Sequence, residues 1–272
     1  YDDGTGPDIY VATAARVLGK PASAITKDER QTYGKVPVLA CGYQGGAGAF
    51  RKIGGKVSEA KAKEIVEAWR ASNPAIVSYW YALDEAFKKA LRFKGEVVVA
   101  GAEGRQVKFR VNGSFLWCRL PSGRLLCYPY PRLDTAHTFE LEDGRVKKLS
   151  ARELAKQGVP EGAKQTRIDY GAAFYMHVDG LSNKWVETDT YGGKLAENIT
   201  QAVCRDLLAE AIKRCEAAGF PVVLHVHDEV VAEIATDSVD LHTFEAVCSE
   251  TPEWAEGLPV VASGWKGARY RK

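Results

Sequence analysis

An α/β fold of the mixed, α+β type is predicted from three features of the sequence. Up to Gly95, apolar side chains recur at helical three-to-four spacing. After Gly95 the chain switches to short β-type runs punctuated by Gly and Pro. A run at 222–234 whose apolar residues largely share one parity follows the longest helical stretch. Helices first, then sheet, helix and hairpin, without alternating strand–helix units, point to antiparallel rather than parallel sheet.

Residues 8–18 place Ile9, Ala12 and Val17 in a helix that stops at Gly19, with Pro21 just beyond. Lys27, Asp28 and Glu29 open a second helical stretch toward Tyr43. Pro37 falls inside it and removes a hydrogen bond at a cost of about 3 kcal/mol, so this helix is expected to start late or kink. The glycine-rich loop 42–48 is not a GxGxxG after a strand, so no dinucleotide-binding fold is assigned. Ser58 caps a helix through Trp69. Asn73 and Pro74 begin another, with Ile76, Trp80, Leu83, Phe87 and Leu91 on one face.

Strands are then expected at 97–100, 106–109, 113–118 and 124–130. A hairpin is formed by 139–141 and 145–149 around Glu142, Asp143 and Gly144. The polar, weakly patterned stretch 150–165 reads as an inserted surface element. The longest helix is expected to begin at Thr188 or Thr190 and to reach Ala218, before Gly219 and Pro221. A strand pair at 222–234, a helix at 237–248 and a last strand at 258–263 complete the chain. The division is into a mostly helical segment, 1–110, and a sheet-containing segment, 111–272, with a polar insertion near 133–167.

With 272 residues, 46% hydrophobic and 26% charged, the composition excludes collagen-like, disordered and disulfide-scaffold classes. No apolar run approaches the roughly 20 residues that span a bilayer, so no membrane partner and a cytoplasmic location are expected. The six cysteines form no CxxC pair and no zinc-ligand spacing with His. The single Met is Met176 and the chain opens at Tyr1, so a segment of something longer is expected. Charge is graded along the chain. Up to Thr135 there are 21 basic and 13 acidic residues; beyond it there are 16 and 22. A basic half joined to an acidic one can hold an anionic substrate beside a carboxylate-bound cation.

Three groups of residues carry candidate chemistry. In the run 222–234, Val222, Leu224, Val226, Val230, Ala232 and Ile234 share one parity and are expected to bury one face. His227, Asp228 and Glu229 then fall at the bend of a tight hairpin. A carboxylate at a rigid exposed turn suits a hard divalent cation, although Asp also favours turns for its own sake. His225 and His227 are the alternative, as transition-metal ligands. In the stretch 27–46, Lys35, Leu39 and Tyr43 fall four apart. The cation offers a phosphate contact and the aromatic ring a stacking face, with Arg30 as a forked phosphate donor. On the long helix, Lys194, Asn198, Gln201 and Arg205 line one face, and Asn and Gln can both donate and accept in a minor groove.

Together these blocks resemble the C-terminal part of a family A DNA polymerase of the bacteriophage or prophage type. The matching residues are Arg30, Lys35 and Tyr43-Gln44-Gly45-Gly46 (fingers motif B), 190–202 (TYGGKLAENITQA), and His225 to Glu229 (palm motif C). The loop 120–124 (LPSGR) and the ending 264–272 (GWKGARYRK) are similar to that subgroup as well. The resemblance implies right-hand polymerase architecture, with fingers in 1–110 and palm in 111–272. It implies Asp228 and Glu229 as ligands of catalytic Mg²⁺ (two ions in all), Arg30 and Lys35 on the incoming triphosphate, and Tyr43 stacked near the templating pair. His227 would lie near the primer end, and Lys194, Asn198 and Gln201 on the nascent duplex. Primer–template DNA and dNTPs are the implied partners.

The family's motif A supplies the other metal-binding aspartate. Asp2, Asp3 and Asp8 sit in no Asp-Tyr/Phe-Ser-x-Ile-Glu context, so motif A is expected upstream of Tyr1 or on a complementary chain. The chain alone is therefore expected not to extend a primer. Two other readings are a metal-dependent nuclease or phosphohydrolase built on His225, His227, Asp228 and Glu229, and a non-catalytic DNA-binding polymerase remnant.

Overall fold

The computed structural model describes residues 6–54, 57–235 and 240–270. Tyr1, Asp2, Asp3, Asp237, Arg271 and Lys272, which figure in the reading above, lie outside the described residues. The architecture is mixed helix and antiparallel sheet, as expected.

The chain opens with α1 (Ile9–Leu18), whose N-cap Asp8 accepts from the amides of Tyr10 and Val11 and whose end is the left-handed Gly19. Thr26 and Glu29 then form a capping box at the start of α2 (Lys27–Glu29). The backbone continues through a π-helical stretch (Arg30–Lys35) into α3 (Val36–Cys41). Pro37 thus breaks nothing, and the expected late start is corrected. The Val36 amide reaches the Gln31 carbonyl, one residue beyond the α-helical partner, so the ladder is already widened where proline lacks its donor. The wide turn also buries Gly34 against the Tyr10 carbonyl, where an added Cβ would lie 2.1 Å from that oxygen.

The helices α4 (Ala47–Ile53), α5 (Glu59–Ser72, N-cap Ser58) and α6 (Pro74–Arg92) complete this part. On α6, Trp80, Leu83, Phe87 and Leu91 are buried as expected, but Ile76, in the first turn, is exposed. Against α6 packs the first sheet, in the order β1 (Val98–Ala100), β2 (Val107–Asn112), β3 (Phe115–Arg119) and β4 (Leu125–Pro129). Phe87 meets Phe109 and Tyr128 edge-on at 5.9 and 5.3 Å, which locks helix to sheet.

A second antiparallel sheet has the order β6–β5–β7–β8, from β5 (Arg132–Glu140), β6 (Val146–Ser150), β7 (Lys164–Val178) and β8 (Trp185–Thr190). Between β6 and β7 lies α7 (Ala151–Gln157), opened by a capping box of Ser150 and Glu153. The Ser-x-x-Glu signal was present in the polar stretch 150–165. The long helix α8 (Gly192–Ala217) starts two residues later than Thr190, which ends β8 instead.

Next come β9 (Val222–Val226) and β10 (Glu229–Ala232), an antiparallel pair forming its own two-stranded sheet. The last helix is α9 (Leu241–Ser249), capped by Asp240. Two expectations fail here. The apolar parity of 222–234 is not buried among the described residues: Leu224 is 44% exposed and no strand of either larger sheet pairs with the hairpin. Residues 258–263 form no strand. Ser249 and Glu245 of α9 accept from the amides of Ala262 and Gly264 at 2.8 and 2.7 Å, so side chains take donors that a ladder would otherwise use.

Candidate nucleic-acid and metal site

Asp228 stands at the tip of the β9–β10 hairpin. Val226 pairs with Glu229, so the turn proper is His227 and Asp228, and Glu229 is the first residue of β10 rather than part of the bend. His227 has φ +52°, a left-handed position that glycine favours and that costs a bulkier residue about 1–2 kcal/mol. His227 and Asp228 are both exposed at the tip. The same turn breaks the strand alternation that would have set His225 and His227 on one side.

Glu229 accepts a hydrogen bond from the Tyr270 hydroxyl at 2.7 Å, which ties the segment after α9 to the hairpin. The hydrogen bond to Glu229, followed by burial and then the Glu229 charge, raises the Tyr270 hydroxyl above its ordinary pKa. Among the described residues no group of three His, Cys, Asp or Glu side chains is arranged to hold a metal. Two neighbouring carboxylates with exposed surface still fit the hard-cation chemistry of Mg²⁺, which is bound through one or two carboxylates plus water and phosphate oxygens.

The other candidates gather at the start of α8. After α3 the chain turns at Gly42–Gln44, and Gln44 adopts φ +68°. Its side-chain oxygen accepts from the Gly193 amide at 2.8 Å, giving one of the orphan donors of α8 a partner across 149 residues of sequence. Arg70 donates to the Gln44 and Gly45 carbonyls at 3.4 and 3.3 Å, and the Trp80 indole donates to the Gly42 carbonyl at 3.0 Å. The fit needs glycine on the other side. A Cβ on Gly192 would lie 1.9 Å from the Trp80 carbonyl oxygen, and one on Gly193 would lie 2.2 Å from that of Tyr43. The Gly192→Ala substitution is therefore expected to cost at least about 2 kcal/mol in urea unfolding, since backbone cannot yield cheaply. Gly48→Ala, in α4 with open space at its Cβ, is expected to be neutral or slightly stabilising.

Tyr43 lies at this joint. Burial raises its hydroxyl pKa, and the nearby Glu197 and Cys204 of α8 push the same way. Lys35 ends the π-helical stretch, half-buried. Arg30 is already engaged: its guanidinium pairs with Asp8 at 3.0 Å and lies 4.9 Å over the Tyr10 ring, and this pairing lowers the Asp8 pKa. The π-helical stretch bearing Arg30 and Lys35 packs on α1 and its neighbours α2 and α3, whereas β9 of the hairpin touches α8.

Along α8, Lys194 folds back to donate to the Thr188 hydroxyl at 3.0 Å and the Asp189 carbonyl at 3.1 Å. Asn198 and Gln201 line an open groove with Arg124, Tyr128, Tyr175 and Arg205. Asn198 donates to the Tyr128 hydroxyl at 3.4 Å and Gln201 to Glu197 at 3.3 Å. Arg124 and Ser122, from the LPSGR loop, both bond the buried Asp206 of α8, and Arg124 also donates to the Ala202 carbonyl at 2.8 Å. Sequence reading missed Arg70 and Asp206, and gave Gln44 no role beyond its place in the motif B block. Only the Gly192-Gly193 pair at a helix start hinted at a close backbone approach.

The chain is 36% identical over 269 residues to a protein named DNA polymerase from Bacillus phage SP02. The match covers 97% of this chain and 36% of that protein, so the chain spans about a third of its length. No family model matches the chain, and no solved structure matches it. No helix of the described residues is long and apolar enough to cross a membrane.

Proposed function

We propose that this chain supplies the fingers and most of the palm of a DNA-templated DNA polymerase of the family A type. In this reading it joins a dNTP to a primer 3′-hydroxyl together with an upstream motif A segment. The observation that carries the proposal is the joint between Tyr43-Gln44 and Gly192-Gly193. It brings together the segment bearing Arg30, Lys35 and Tyr43 and the helix bearing Lys194, Asn198 and Gln201. The likeness to a phage protein named DNA polymerase, over nearly the whole chain, supports the same reading.

Phosphoryl transfer asks for positioning and charge neutralisation more than for covalent chemistry from the protein. Arg30 offers its remaining guanidinium donors, and Lys35 its ammonium, to the triphosphate. Tyr43 gives the new pair a ring to stack on. Asn198 and Gln201 donate and accept at the minor-groove edge of the nascent duplex, with Arg124 and Arg205 facing its phosphates. The strained His227 holds the tip at the primer end, and Asp228 with Glu229 presents the oxygen ligands. Magnesium, when bound there, neutralises charge developing on the phosphate oxygens.

The test is a primer-extension assay with the chain and a motif A-bearing upstream polypeptide, Mg²⁺, and one dNTP at a time. Incorporation that follows the template base, needs both polypeptides and survives His225→Ala is the expected result. Primer-independent cleavage abolished by His225→Ala would replace this reading with a nuclease. Duplex binding indifferent to Mg²⁺ and to the matched nucleotide would reduce the chain to a DNA-binding remnant.

A further inference from the structure

The first sheet has two faces of different character. Val107, Phe109, Val111, Leu116, Cys118 and Tyr128 face α6 and are buried. The opposite face is open. On β2 it presents Lys108, Arg110 and Asn112. Their register partners on β3 are Arg119, Trp117 and Phe115.

No Asp or Glu occurs in any of the four strands, so the open face carries three cations and no carboxylate of its own. Arg110 uses one nitrogen on the Gly95 carbonyl at 3.0 Å and retains its charge. The rings continue past the sheet edge in an unbroken row. Trp117 to Phe115 is 5.7 Å between centroids, Phe115 to Tyr130 is 6.0 Å, and Tyr130 to Trp185 of β8 is 6.5 Å. Phe115, Tyr130 and Trp185 are 36, 57 and 50% exposed. Tyr130 holds its place at φ +46°, a backbone cost that no core packing explains, since its ring is mostly in solvent.

A row of exposed rings is an apolar liability on a monomer surface unless something stacks on it. Rings beside cations on a sheet face, with no carboxylate among them, complement a ligand that is planar, apolar on its faces and polyanionic along its backbone. Single-stranded nucleic acid has that chemistry: unpaired bases stack on the rings while phosphates track the cations. A duplex does not, because its base faces are already covered. We infer that the open face of β1–β4, extended by Tyr130 and Trp185, is a binding platform for single-stranded DNA. It is distinct from the α8 groove, lies on the other side of the sheet from α6, and does not rest on the polymerase reading.

The platform is tested by tryptophan fluorescence titration of the chain with an oligothymidylate of about fifteen nucleotides. EDTA is present and nucleotides are omitted, so neither metal nor dNTP chemistry is read. Stacking on Trp117 and Trp185 is expected to quench emission. The double variant Phe115→Ala/Trp185→Ala is expected to bind the oligomer at least tenfold more weakly by anisotropy, with its affinity for a blunt duplex unchanged. Lys108→Ala/Arg119→Ala, two exposed changes that leave the rings in place, is expected to lower the slope of log affinity against log salt by roughly 1.4. Circular dichroism melts confirm folding of each variant. Unchanged oligothymidylate binding in both folded variants overturns the inference. So does an equal loss of duplex and single-strand binding, which would mark a general polyanion surface.

Discussion

The Asp228→Asn variant is expected to lose template-directed incorporation by on the order of a thousandfold while keeping the fold of the parent chain. Asparagine matches aspartate in shape and is equally at home in a two-residue turn, so the β9–β10 register should persist and the melting temperature should not move measurably. What changes is one negative charge at an exposed tip, and with it the hard anionic oxygen that a divalent cation requires. The loss should appear in kcat more than in the KM for dNTP, because the proposed nucleotide contacts of Arg30, Lys35 and Tyr43 are untouched by the substitution. Single-turnover incorporation with the motif A polypeptide present reads this split. Equal loss in kcat and in duplex affinity would mean instead that Asp228 shapes the DNA surface.

The Trp80→Ala variant is expected to lose about 3–5 kcal/mol of stability, equivalent to a fall in melting temperature of roughly 10 °C. Trp80 is 1% exposed, lies parallel to Trp69 at 6.1 Å and 9°, and faces the Arg70 guanidinium at 6.0 Å. Its indole donates to the Gly42 carbonyl, and its own carbonyl seats Gly192. One residue thus touches both halves of the joint on which the proposed function rests, Gly42 through its side chain and Gly192 through its backbone. Trp80→Phe separates the contributions: it restores most of the volume but leaves the Gly42 carbonyl without its donor, for a loss of about 1–2 kcal/mol. Calorimetric melts of the three proteins check the ordering. A Trp80→Ala loss within 1 kcal/mol of zero would show that the joint is not part of the cooperative core.

The legible parts of the fold were those written in local pattern. Alternation around Asp228 marked the hairpin, Ser58 and Asn73-Pro74 marked helix starts, and Gly and Pro marked the turns of the first sheet. Where pattern competed with tertiary partners, it misled. Residues 258–263 look like a strand, but side chains of α9 take the amides of Ala262 and the following Gly264. The apolar parity of 222–234 implied a buried face, yet Leu224 is exposed and the rest of that face is only half-buried. Pro37 argued for a helix break that a π-turn avoids. The candidate site divided in the same way. The position of Asp228 in a hairpin turn and the shared groove of Asn198, Gln201 and Arg205 on α8 could be read from spacing, whereas the Gln44–Gly193 bond and the Arg30–Asp8 pair join residues far apart in sequence. Periodicity carries no information about such partners.

The most direct test of the central claim is a single-nucleotide incorporation time course on a primed template whose templating base is varied through all four identities. The chain, the motif A polypeptide and Mg²⁺ are present, and each dNTP is offered separately. The account predicts that only the complementary dNTP is joined to the primer, that omission of either polypeptide stops the reaction, and that Asp228→Asn abolishes it. Template-matched incorporation that proceeds unchanged with Asp228→Asn would contradict the account.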